Sequence, residues 1–138
     1  MSRFQRIPGY LLVLLAIYCA ASLVHFIHNA EFISAYPNLP AWLARSEVYV
    51  SWLVVTSVGV AGLVFLTFGL RTPGYVLIAV YAALGFAGLD HYSLAPMSAH
   101  TPAMNATIWF EVVAAATLFI TALVLLLRSL VTRRAVGA

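Results

Sequence analysis

Four apolar stretches, each long enough to cross a bilayer, constrain this chain more than any other feature. They cover residues 10–33, 48–70, 74–92 and 106–127, and one helical crossing needs roughly 20 apolar residues. Turn residues separate them: Pro8-Gly9, "YPNLP" (36–40), "RTPG" (71–74) and "APMSAHTP" (95–102). Composition points the same way. Of 138 residues, 64% are hydrophobic and only 8% charged, whereas soluble domains carry about a quarter charged residues. No stretch alternates strictly between polar and apolar residues, which argues against a membrane β-barrel. The expected fold is an all-α membrane protein, a single antiparallel four-helix transmembrane bundle over residues 1–138.

The cations set an orientation. Arg3 and Arg6 precede the first span, Arg71 lies between the second and third, and Arg128, Arg133 and Arg134 follow the fourth. Only Arg45 falls on the other side. By the positive-inside rule the arginine-rich side is cytoplasmic, with both termini there. The net charge of +3 reflects this rule and gives no reason to expect a nucleic-acid partner. The first apolar run is too long for a cleaved signal peptide. Cys19 is the only cysteine, so no internal disulfide and no thiolate metal site is expected. All the basic residues are arginine and alanine is abundant, which suggests a GC-rich bacterial genome and the inner membrane.

The other ionisable groups are distributed very unevenly. All four carboxylates (Glu31, Glu47, Asp90, Glu111) and all four histidines (His25, His28, His91, His100) map to the outer half of the bundle or its outer loops. At 1.5 Å of rise per residue, His25 lies roughly 22 Å above Tyr10, Asp90 roughly 24 Å above residue 74, and Glu111 roughly 25 Å above Arg128. Three spans thus bring ionisable groups to one height. At about 100° per residue His25, His28 and Glu31 cover an arc of about 120°, with Asn29 about 40° from His25. A central acidic side chain facing lipid costs on the order of 2.5–3.5 kcal/mol, so this face is expected to point inward.

The second span adds Ser51, Trp52 and Thr56 as a wall beside this level, and residues 40–49 are expected to begin as an interfacial helix anchored by Trp42 and Tyr49. Small residues at 59–62, 82–88 and 112–117 suit close helix contacts.

Ionisable residues inside a membrane mark functional sites by default. Imidazole and carboxylate donors suit zinc, iron or manganese, giving a candidate metal set of His25, His28, Glu31, Asp90, His91, His100 and Glu111. Glu111 and Asp90 are the candidate catalytic acid–base groups, and Glu31 and His100 would stand at the entrance. The leading expectation is a metal-binding membrane protein, extended to an enzyme acting on a lipid-like or small hydrophobic substrate. Three alternatives stand beside it. One is a haem b electron carrier with axial histidines from spans one and three. The others are a metal-free acid–base enzyme and a non-catalytic subunit of a membrane complex, with homo-oligomers also open. A transporter is disfavoured, because the inner halves of the spans hold no ionisable groups.

His28 and Glu31 in "FIHNAEFISAYPNLPAWL" (26–43), with the Thr-Pro entry in "SAHTPAMNATIWF" (98–110), resemble the small bacterial membrane proteins grouped by an HXXEE motif. Phe32 stands where that group has its second glutamate. The resemblance implies a four-span bundle and adds nothing about chemistry.

Overall fold

A computed structural model describes residues 7–137, with side chains through Thr132. Arg3 and Arg6 lie outside the described residues, as do the side chains of Arg133 and Arg134. The helices are α1 (Gly9–Glu31), α2 (Arg45–Thr67), α3 (Arg71–Leu84), the short α4 (His91–Leu94) and α5 (Pro102–Gly137). Three 3-10 turns accompany them, at Ile33–Ala35, Gly85–Asp90 and Met97–Ala99, and no strand occurs among the described residues. Four segments are long and apolar enough to cross a membrane: Gly9–Glu31, Arg45–Thr67, Arg71–Leu94 and Pro102–Thr132. The third joins α3, the Gly85–Asp90 turn and α4 into one rod.

Local chemistry fixes where these helices begin and end. Thr101 caps α5 by accepting the Met104 N–H (3.2 Å), and Pro102 fills the first helical position, where no N–H is needed. Helix α5 therefore starts at 102 instead of 106. Ala44 has no side-chain acceptor, but the Glu47 carboxylate accepts the Ala44 N–H (3.0 Å), which is half of a capping box. The expected interfacial helix from Pro40 does not form. Pro40 to Leu43 make a single turn, closed by the Leu43 N–H to the Pro40 carbonyl (3.0 Å), and the helix begins at Arg45. Helix α2 ends in a Schellman motif: Gly69 has φ +78°, its N–H reaches the Leu66 carbonyl, and the Leu70 N–H reaches Phe65. Glycine adopts that left-handed conformation without a Cβ penalty.

Helices α1 and α3 each pack against both α2 and α5, closing a ring of four. Neighbours run in opposite directions. The end of α1 meets the start of α5 at His25 and Thr107, and the end of α2 meets the start of α3 at Leu66 and Gly74. The buried residues follow a heptad-like seam. The seam takes Leu11, Leu15, Tyr18, Ser22 and His25 in α1, and Met104, Ile108, Glu111, Ala115, Leu118, Ala122, Leu125 and Ser129 in α5, with Ala21, Ala30, Val112 and Ala114 buried beside it. Alternating steps of three and four keep one stripe facing the partner helices. Across the ring, the Tyr18 hydroxyl donates to the Tyr81 carbonyl (3.1 Å). The outside is apolar, with Val50, Leu53, Val54, Val60 and Val64 of α2 all exposed, a surface suited to hydrocarbon.

Candidate functional site

One ionisable residue interrupts the seam in each of two facing helices. His25 takes the seam position after Ser22 in α1, and Glu111 the one between Ile108 and Ala115 in α5; both are buried. Their side chains meet, with His25 Nε2 3.7 Å from Glu111 Oε2. The other ring nitrogen, Nδ1, lies 3.4 Å from Thr107 Oγ1. The Thr107 hydroxyl donates its proton to the Met104 carbonyl (3.0 Å), so toward His25 it acts as acceptor. That assigns the proton of a neutral His25 to Nδ1 and leaves the Nε2 lone pair facing the carboxyl group.

The third span reaches this level through an altered geometry. Gly85 to Asp90 wind as a 3-10 turn, which rises about 2.0 Å per residue at three residues per turn. Gly88 lies on the inner face, where an added Cβ would stand 3.3 Å from Glu111 Oε2. Three residues on, His91 is also buried, with its ring centroid 5.4 Å from that of His25. Asn29, one turn above His25 on α1, places Nδ2 3.2 Å from His91 Nε2. Its Oδ1 is buried without a partner. A cavity of about 110 Å³ is lined by His25, Asn29, Gly88, His91 and Glu111, with apolar contributions from Phe26, Leu84 and Ala87.

Above the cavity lies an aromatic layer. Tyr36 is buried; its ring lies 4.9 Å from that of His91, and its hydroxyl 2.9 Å from His28 Nδ1. Burial pushes the Tyr36 phenol up to about 12, so at neutral pH it is protonated and donates to His28. The loop is held over the site by Asn38, a non-glycine residue at φ +59°, whose Nδ2 donates to the Leu94 carbonyl (2.8 Å). His100 sits against the same layer, 6.1 Å from His91 between ring centroids. Its Nδ1–H donates to the Pro96 carbonyl (3.1 Å), and its buried Nε2 has no partner.

The seven sequence candidates thus separate. His25, His91 and Glu111 line one cavity, and His28 and His100 flank it through Tyr36. Glu31 and Asp90 do not join them. Glu31 is 120° around the helix from His25 at 100° per residue, on the far side from Asn29. It is paired at the edge of the bundle with Arg45 and the Tyr49 hydroxyl (2.6 Å). Asp90 precedes the inward-facing His91 and is therefore turned outward and exposed. A catalytic role for Asp90 does not fit that position. Sequence reasoning missed Tyr36 and Thr107. Thr107 carried a signal, since it precedes Glu111 by one turn on the same helix. Tyr36 carried none, because its place depends on the backbone of Asn38.

Among the described residues no three His, Cys, Asp or Glu side chains are grouped so as to hold a metal ion. Two of the candidate donor nitrogens are already engaged, His91 Nε2 by Asn29 and His28 Nδ1 by Tyr36. Haem fits less well still, because ligand pockets typically measure about 300–1,000 Å³ and the space between His25 and His91 is about 110 Å³.

No family model matches the chain, and neither the curated proteins nor the solved structures yielded a similar protein.

Proposed function

We propose that this chain is a multi-pass membrane protein whose polar site performs metal-free acid–base chemistry on a lipid-like or small hydrophobic molecule. The observation that carries the reading is the His25–Glu111 pair, 3.7 Å apart on the wall of a small cavity. A carboxyl group and an imidazole at that separation can exchange a proton through one bridging water or through a substrate hydroxyl or carbonyl. The Thr107 contact orients the imidazole, much as a third group orients the base in other acid–base pairs. His91 and the unpartnered Asn29 carbonyl offer further polar contacts to a bound group.

The cavity volume limits what can enter. A water molecule takes about 30 Å³ of liquid, so the space suits the polar end of a molecule whose apolar part lies outside. Leu84, at 41% exposed, borders the cavity, which favours lateral entry from the bilayer. The asymmetry of charge supports an orientation with Arg71 and Arg128 in the cytoplasm and the site near the outer leaflet of a bacterial inner membrane.

The test incubates the purified protein in detergent with a bacterial total-lipid extract and follows consumed and formed species by mass spectrometry. Glu111→Gln and His25→Gln serve as comparisons. Turnover in the wild type that both variants lose supports the reading. Elemental analysis of the same samples separates it from the metal reading. One equivalent of zinc, iron or manganese, lost in both variants, would replace proton exchange with metal chemistry. Neither turnover nor metal would leave a non-catalytic subunit.

A further inference from the structure

At the end of the bundle opposite His25 and Glu111, a second polar cavity of about 160 Å³ is lined by Pro8, Arg71, Tyr75, Arg128, Ser129 and Thr132, with Leu125. We propose that it binds a phosphate group, that of an anionic lipid headgroup or free phosphate, between Arg71 and Arg128.

Three observations carry this proposal. The first is an unbalanced charge. Neither Arg71 nor Arg128 has an acidic partner among the described residues, where the one arginine–carboxylate pair is Arg45–Glu31. All four Asp and Glu side chains lie toward the other end of the bundle, so none of them is near. Two guanidinium groups on one cavity repel each other until an anion sits between them.

The second concerns Ser129. It occupies the last buried position of the α5 seam, is 7% exposed, and its Oγ has no hydrogen-bond partner. A buried hydroxyl without a partner is costly, and this one lines the same cavity as both arginines. A phosphate oxygen would accept its proton. Thr132 donates to the Arg128 carbonyl (2.9 Å), so of the two hydroxyls on this wall it is Ser129 that is free to donate.

The third is the start of α3. Arg71 is its first residue, at the positive end of the helix dipole, where anions are favoured and cations disfavoured. A cation at that point is unfavourable alone and favourable beside a bound anion. Guanidinium groups bind phosphate oxygens in pairs, and basic pockets between membrane helices recognise anionic headgroups.

The test uses the full-length protein in detergent micelles, with dioleoylphosphatidylglycerol, dioleoylphosphatidylcholine and inorganic phosphate as probes. Native mass spectrometry reads retained lipid, and thermal unfolding reads stabilisation by phosphate. The wild type is expected to retain one phosphatidylglycerol in preference to phosphatidylcholine. At about 1 kcal/mol per arginine, the Arg71→Gln/Arg128→Gln variant should bind it about thirtyfold more weakly. Ser129→Ala should weaken it less. Stabilisation by inorganic phosphate that the double variant loses, without preferential lipid retention, would assign the site to free phosphate. Equal retention of both lipids with no response to phosphate would overturn the proposal, as would a double variant indistinguishable from wild type. Arg128 is exposed and Arg71 half-buried, so the variants should fold; their unfolding temperature without ligand checks this.

Discussion

His25 and Glu111 face each other at 3.7 Å from the seams of two different helices. Each holds a buried position on an otherwise mostly apolar stripe beside a small cavity, and Glu111 faces the one ring nitrogen of His25 that Thr107 does not engage. Removing one alone leaves a buried polar group unsatisfied, which costs about 1–3 kcal/mol. A double-mutant cycle over His25→Leu and Glu111→Leu should therefore return a coupling energy on the order of 0.5–3 kcal/mol, with the double variant more stable than the sum of the singles implies. Denaturant unfolding in mixed micelles measures it. A coupling of zero would mean that the two side chains do not interact.

Much of this arrangement was legible in the sequence, because helix spacing is enough to place it. Counting 1.5 Å per residue brought His25 and Glu111 to one level, and the four long elements followed from hydropathy alone. Direction around the helix was harder. On α1 the seam runs through Ser22, His25 and Asn29, so His28 sits beside it and Glu31 turns away, although all belong to one polar segment. Height alone groups Asp90 with these residues, without a direction around the helix, and residues 85–90 form a 3-10 turn. The 3-10 geometry there carries His91 inward and Asp90 outward. Tyr36 was out of reach, since a loop residue is positioned by tertiary contacts such as Asn38 to Leu94 and not by a repeat.

Tyr36 gives the fold a dependence on alkaline pH. Its folded value of about 12 lies above the ordinary 10.0. A phenol that ionises later in the folded state contributes stability that is fully present below pH 10 and lost as pH rises toward 12. Stability of the wild type should fall across that window, and Tyr36→Phe should flatten the fall. At neutral pH the same variant should cost about 1 kcal/mol, the value of the hydrogen bond to His28. Unfolding midpoints at stepped pH, with ultraviolet titration of tyrosinate, test both statements.

Two glycines near the α2–α3 connection should respond differently to alanine. A Cβ on Gly62 would stand 3.1 Å from the Gly74 carbonyl and the Ile78 nitrogen, so backbone has to move and the helices part. Overpacking of this kind costs about 1–3 kcal/mol. Gly69 has open space around its Cβ position and a φ of +78°, so Gly69→Ala meets only conformational strain of about 1–2 kcal/mol. Asparagine, which tolerates the left-handed region, should restore part of the loss at position 69 and none at position 62. Unfolding of the four variants distinguishes the two causes, and equal rescue at both sites would contradict this account.

The exposed cluster of Glu31, Arg45 and Tyr49 should matter little to stability. Arg45 is 63% and Glu31 35% exposed, and pairs in that setting contribute about 0–1 kcal/mol and weaken with salt. Glu31→Gln should therefore change unfolding by less than about 1 kcal/mol, and by less still at high ionic strength. The comparison with Glu111→Gln is informative because both replace a carboxylate with its amide. If proton exchange at the buried pair is what the site performs, turnover on the lipid extract disappears with Glu111→Gln and persists with Glu31→Gln. Loss in both would move the chemistry toward the edge of the bundle. There Glu31, the Tyr49 hydroxyl and Arg45 would have to supply it, and the His25–Glu111 pair would become an interhelical contact.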